Sequence, residues 1–279
     1  MLASIMKIHF LRSPKPRNAV LEGLYGQLRD RGFQVSESIP DRDAHDIDLM
    51  PEHDLYVLKA RDPVAVSIAT VLSRGGARVV NSPAACATLL DKIVTTATMR
   101  RAGIPTPRTW AVRDAAGLRV ETFASRLPLI LKPYDGTHRR DLRLVTDREA
   151  LTTLEPWSGP TLVQEFVEGC RHRYKIHVVG ERVFATRTAF SLEGDPEPGV
   201  PADPGDEIAT IARRCGRLFG LMLYGLDVLI GRRGPVVVDL HSFPGYAGVR
   251  EAPESLADHI AEIARGRLEL PAAVVSARP

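Results

Sequence analysis

Over the first eighty residues, short apolar runs alternate with amphipathic stretches, and few folds accommodate that rhythm. IMKIHFL, FQVSES, DLYVLKA and ARVVN read as strands, while AVLEGLYGQLRDRG and PVAVSIATVLSRGG carry helical patterns between them. A helix joining two strands returns the chain to the same end of a sheet, so the expectation is a small parallel α/β unit. In such a sheet, ligands are met beyond the strand carboxyl ends. Arg12 and Lys59 close two of these strands and are therefore substrate-binding candidates, with solvated strand-end cations as the alternative.

The rest of the chain changes character. A helix is expected through LLDKIVTTATMRRAGI, stopping at Gly103 before Pro105 and Pro107. A second unit follows: strand LPLILKPY, the glycine turn DGTHRRD, strand LRLVT and a helix from Asp147. The third opens with TLVQEFV and continues with two strands around Gly180, a Pro/Gly/Asp-rich loop at about 194 to 205 and a helix through EIATIARRCGRLFG. It ends with the hairpin YGLDVLIGRRGPVVVDLHSFPGY and a helix from Glu254. Antiparallel strands with segregated helices mark an α+β arrangement. The expected division is an α/β domain over 1–82, a central subdomain over 83–160, a C-terminal subdomain over 161–270 and a tail over 271–279.

A net charge of +3 on 279 residues is too slight for a dedicated nucleic-acid binder, and the basic runs RHRYK and DGTHRR lack interleaved aromatics. Cys86, Cys170 and Cys215 match no zinc or disulfide spacing and read as reduced thiols. No run approaches the roughly 18 apolar residues of a membrane span, and the N-terminal apolar run is too short for a signal peptide. A cytoplasmic protein is expected, with small acidic ligands and homo-oligomerisation left open and neither nucleic acid nor membrane as partner.

The residues that carry chemistry cluster in the hairpin. Asp227 on one strand faces Asp239 and His241 on the next, and the two-residue period puts Asp239 and His241 on one face. Two inward carboxylates are costly without a cation, so a metal site is favoured over a turn cap and a solvated aspartate. The chain uses 31 arginines and only 6 lysines, and Lys59, Lys92, Lys132 and Lys175 stand at strand ends or in motif-like contexts. Lys132 leaves an apolar strand just before a glycine turn, a placement suited to gripping a phosphate, with a surface lysine before a turn as the alternative. No GxxxxGK[ST] or post-strand GxGxxG loop is present.

The order of these pieces is more specific than any one of them. Helical DK at 91–92, the strand-ending Lys132 with its glycine turn, QEFVE at 164–168, KIHVVG at 175–180, GLDV at 225–228 and DLHSFPG at 239–245 together resemble the ATP-grasp superfamily. YGLDVL and VVVDLHSFPG are similar to the ribosomal-protein glutamate ligases, the RimK-like branch. DGTHRRDLRLV, RYKIHVVGERV and FPGY also look like the inositol tris/tetrakisphosphate kinases.

The resemblance implies an α/β N-terminal domain followed by an ATP-grasp fold whose two subdomains clamp ATP. It makes Lys92 and Lys132 the phosphate lysines, and Gln164, Glu165, Phe166, Val167 and Glu168 the adenine and ribose segment. Asp227, Asp239 and His241 become the Mg2+ positions, with Mn2+ as an alternative metal. Lys175 and Arg187 become the catalytic cations. The implied activity is carboxylate–amine ligation through an acyl phosphate, on a small-molecule or peptide carboxylate and an amine. A polyol-phosphate kinase and a non-catalytic nucleotide-binding module are the alternatives. The family usually has Asn where His241 stands, and the glutamate ligases an acidic residue where Arg173 stands. The DGTHRRD turn and the loop at 194 to 205 are expected to be mobile lids.

Overall fold

The computed structural model describes residues 5–42, 44–114, 118–134, 142–154, 159–192 and 199–271. The DGTHRRD turn from Asp135 onward, part of the 194 to 205 loop and most of the expected tail lie outside the described residues.

The N-terminal part runs β1 (Lys7–Arg12), α1 (Ala19–Asp30), β2 (Gln34–Ser38), β3 (Leu55–Lys59), α2 (Pro63–Arg74) and β4 (Val79–Val80). Its four strands form a parallel sheet in the order β2-β1-β3-β4, as the alternation of runs and helices implied. Asn18 and Asp62 cap the two helices, each accepting a backbone N–H of the first turn.

Next come α3 (Pro83–Leu90), α4 (Lys92–Arg101), β5 (Thr109–Val112), α5 (Val120–Phe123), β6 (Leu129–Pro133), β7 (Arg143–Val145), α6 (Arg148–Thr152) and β8 (Thr161–Glu165). The single helix expected over LLDKIVTTATMRRAGI is two helices. Asp91 adopts an extended conformation and its carboxylate accepts from Ile93 N at 2.8 Å and Val94 N at 3.0 Å. That cap ends one helix, starts another and makes Lys92 the first residue of α4. β8 was expected to open the third unit; instead it pairs antiparallel with β5 and β6 in a sheet ordered β5-β8-β6-β7. TLVQE is buried along most of its length and carries no signal of which sheet receives it.

The last part holds β9 (His172–Val179), β10 (Arg182–Ala189), β11 (Val200–Ala202), α7 (Gly205–Phe219), β12 (Leu223–Gly231), β13 (Gly234–Ser242) and α8 (Ala252–Ala264). The sheet is antiparallel, ordered β11-β10-β9-β12-β13. Its β11 falls in the segment read as loop. One face packs on α7 through Ile176, Val178, Leu226 and Val228, leaving the other face for the site. The final helix returns to the N-terminal domain, where Leu256, Ile260 and Ile263 join Leu24, Tyr25 and Leu28 of α1 in one core.

Asn81 ties the first sheet to the last. Fully buried after β4, it donates to Leu223 O at 2.6 Å and accepts from Met222 N at 2.9 Å and Leu223 N at 3.0 Å. Replacing Asn81 by Ala leaves two amides without that acceptor, at about 1–3 kcal/mol each. The expected outcome in denaturant titration is a loss of at least about 2 kcal/mol; a change well under 1 kcal/mol would show the tie to be dispensable.

Candidate active site

Between the central and C-terminal sheets lies a cavity of about 660 Å³, a size suited to a small-molecule site. One end is apolar, with Ile130, Phe166, Val167, Phe190, Leu192 and Leu229 on its walls, and the Phe166 and Phe190 rings 6.1 Å apart. The other end is charged. Register explains which side chains reach it: Lys175, Asp227 and Asp239 are direct cross-strand neighbours on β9, β12 and β13, and His177, Gly225 and His241 form the next row. Cross-strand neighbours share a face, so the row of acids and the row of imidazoles look into the same space.

Potential ligand atoms of Asp227, Asp239 and His241 all lie within 4.8 Å of one another. Each carboxylate is held by a cation. Lys92 Nζ donates to Asp239 Oδ1 at 2.6 Å, and the Arg173 guanidinium pairs with Asp227 Oδ2. Burial by itself would raise both carboxyls, but Arg173 opposes it at Asp227, and Lys92 and Lys132 do so at Asp239; both sit below the usual carboxylate range. Both acids are therefore ionised at neutral pH. Burial also lowers His241, against the pull of the two aspartates, so its imidazole is available as a neutral ligand. Asp227 Oδ1 and His241 Nδ1 are buried with no partner among the described residues. Two carboxylates, one neutral imidazole and two unpartnered buried atoms fit a divalent metal.

Lys132 stands beside this group. Its Nζ donates to Val238 O at 2.9 Å, and burial pushes its pKa down to about 8, with Asp239 partly opposing and Lys92 reinforcing the shift.

Several expected residues are placed differently. Gln164, Glu165, Phe166 and Val167 line the cavity, but the N–H groups of Glu165 and Phe166 already donate to Arg108 O and Pro128 O and are not free for a base edge. Glu168 is outside the lining and lies 3.7 Å from Arg232. Arg187 is exposed and does not line the cavity. Its cross-strand neighbour is Tyr174, so it points to the opposite face from Lys175, and Thr186 takes the inward position. Arg12 does not line it either: its guanidinium grips Glu37 at 2.9 and 3.1 Å and donates to Lys15 O and Ser13 O. Lys59 turns to Phe243, donating to its carbonyl at 3.1 Å. Arg61, two residues on, is the cation from the N-terminal domain that reaches the cavity. Its place beyond a strand end was the available signal. Thr186, His177 and the Pro244–Gly248 loop also line the cavity; KIHVVG contains His177 and FPGY the start of the loop, but none of them was assigned a site role from the sequence.

Residues 90–263, more than half of the chain, match the RimK-like ATP-grasp domain. The chain belongs to the RimK-like ATP-grasp family. A probable alpha-L-glutamate ligase of Vibrio vulnificus is 27% identical over 190 residues, covering 63% of each chain. An inositol-tetrakisphosphate 1-kinase 4 of Oryza sativa subsp. indica is 29% identical over 236 residues, covering 69% of this chain and 66% of that one. A RimK-domain ATP-grasp protein of Sphaerobacter thermophilus superposes with a TM-score of 0.70 at 20% identity, over 91% of this chain and 99% of that one. The match thus spans about 63% of the length of the first of these relatives. No helix among the described residues is long and apolar enough to cross a membrane.

In this ATP-grasp chain the lowered pKa of Lys132 yields a pH prediction. If Lys132 meets nucleotide phosphate, affinity for a non-hydrolysable ATP analogue is expected to fall as pH rises through about 8, where the free amine loses its proton. Lys132→Arg should abolish that break, because a guanidinium stays charged. Lys132→Ala should weaken binding at least about tenfold at pH 7, a lost charge-assisted bond being worth roughly 1.5–3 kcal/mol. Calorimetry from pH 7 to pH 9.5 reads all three; a flat profile and an unaffected Ala variant would remove Lys132 from the nucleotide site.

Proposed function

We propose that this chain is an ATP-dependent carboxylate–amine ligase acting through an acyl phosphate. The observation that carries this reading is the row Lys175–Asp227–Asp239 with Lys92, Lys132 and Arg173 around it, set between an apolar pocket and a second lined end of the same cavity. The apolar end suits a purine between Phe166 and Phe190. The cationic middle suits a triphosphate. The end bounded by Arg61, Thr186 and Pro244–Gly248 suits an acceptor.

On this reading Asp227, Asp239 and His241 would hold Mg2+, or Mn2+ given the imidazole, and the metal would supply charge neutralisation at the β- and γ-phosphates. Lys92 and Lys132 steady the same phosphates. A carboxylate oxygen of the acceptor attacks the γ-phosphorus, the bond to the β-phosphate oxygen breaks and ADP leaves. Lys175 and Arg173 balance the charge that gathers on the transferring group. The amine nitrogen then attacks the acyl carbon, the carbon–oxygen bond to phosphate breaks and the amine proton leaves with phosphate or water. The products are an amide, ADP and phosphate.

The surplus of cations over carboxylates also favours one rival, a kinase for a phosphorylated polyol. Hydroxylamine separates the two, because it traps an acyl phosphate as a hydroxamate and does not react with a phosphate ester. ATP-dependent hydroxamate formation with a carboxylate acceptor supports the ligase. ADP release with a polyol phosphate, without hydroxamate, overturns it. No ADP release with either acceptor class would favour a nucleotide-binding module.

His241 provides a second test. With a nitrogen in the ligand set, Mn2+ is expected to support turnover at least as well as Mg2+, and His241→Asn to shift the preference toward Mg2+. Asp239→Asn should abolish turnover in either metal. An Asn variant that matches the wild type in both metals would show that His241 does not bind the ion.

A further inference from the structure

The side chains that β9 sends into the cavity are in a fixed order. Arg173 is nearest the aromatic end, where Phe190 N donates to Arg171 O at 3.0 Å. Lys175 follows beside Asp227, and His177 comes last, level with Gly225 and His241. Alternate residues on a strand are about 6.6–6.8 Å apart, so Arg173 and His177 are separated by roughly 13 Å. His177 therefore lies at the acceptor end.

Its environment is unusual. Only 5% of its surface is exposed, and neither ring nitrogen has a partner among the described residues. Its ring centroid is 5.4 Å from that of Tyr246, whose hydroxyl is already donating to Val178 O at 2.8 Å. Gly225 leaves the row between His177 and His241 without a side chain, and a Cβ there would meet Pro244 Cγ at 2.9 Å and Ile176 O at 3.0 Å. The loop that carries Pro244 thus lies against the strand, close beside the imidazole. A buried polar ring with two unpartnered nitrogens is costly unless a group from outside the chain satisfies it.

Burial holds His177 at a pKa of about 4, so it is neutral at pH 7. A phosphate or a carboxylate, which only accepts, could pair with its N–H but would leave its acceptor nitrogen unpartnered. The imidazole presents one N–H donor and one acceptor nitrogen, while Lys175 and Arg61 on the same cavity supply positive charge.

Resting on the ligase reading, we propose that His177 is a specificity-determining residue: it hydrogen-bonds an uncharged hydroxyl or amide group on the carboxylate substrate, whose charge is met by Lys175 and Arg61. Substrates carrying such a group are selected over analogues that lack it, because those leave the imidazole unpaired.

The test uses the full chain with MgATP and hydroxylamine. Acceptors are matched pairs differing by one hydroxyl or amide: serine and alanine, malate and succinate, glutamine and norvaline. The wild type is expected to favour the polar member of at least one pair about tenfold or more in kcat/KM. His177→Phe should collapse that preference to within about threefold, mainly through KM, leaving affinity for an ATP analogue unchanged. His177→Gln, which keeps a donor and an acceptor, should restore part of it, and thermal melts of both variants control for folding. Retained preference in His177→Phe, absence of preference in the wild type, or a parallel loss of nucleotide affinity overturns the assignment alone. Absence of ADP release with every carboxylate defeats the ligase reading, and the assignment with it.

Discussion

Two acids facing one another across β12 and β13 dictate much of what surrounds them. Bringing Asp227 and Asp239 together in a partly buried space is unfavourable unless each has a cation, and the chain supplies Arg173 for one and Lys92 for the other. That requirement reaches far along the sequence. Lys92 arrives because Asp91 breaks a helix and starts another, and Arg173 because β9 pairs in one register with β12. On the proposed reading the same groups serve in both states: when nucleotide and metal bind, phosphates take the cations and the metal takes the carboxylates. None of these four charges is left unpaired in either.

The N-terminal domain does more than precede the nucleotide fold. Lys59 holds the Phe243 carbonyl and lies over its ring, and Asn18 donates to Gly245 O at 2.8 Å. Both bonds brace the loop that walls the end of the cavity proposed for the acceptor, where Phe243 and Tyr246 take positive φ values of 31° and 51°. A backbone held there by non-glycine residues needs such bracing. Arg61 adds a charge from the same domain. That end of the cavity is thus built jointly by the first and last parts of the chain.

Much of this was legible in the sequence where local periodicity governs. The two-residue period put Asp239 and His241 on one face, and the hairpin brought Asp227 opposite, as the cross-strand register shows. Lys92, Lys132 and Lys175 all reach the cavity. What failed depended on long-range pairing. Arg187 and Thr186 are adjacent, and only the register of β10 against β9 decides which of them faces inward. The sheet that receives β8 depends on partners about 35 and 50 residues earlier in the sequence. Arg12 and Lys59 looked alike as strand-end cations, yet Glu37 engages one and Phe243 the other. His177 lay within a motif that carried the family resemblance, but its burial without partners is a property of the assembled cavity.

The central claim is that Asp227 and Asp239 exchange their cation partners for a metal when nucleotide binds. The most direct measurement is the calorimetric affinity of a non-hydrolysable ATP analogue, with and without Mg2+, for the wild type and for the Asp227→Asn, Asp239→Asn double variant. The account predicts that Mg2+ tightens binding to the wild type. In the double variant that gain should vanish, while the metal-free analogue binds at least as well because Lys92 and Arg173 are released. A gain from Mg2+ that persists undiminished in the double variant would contradict it.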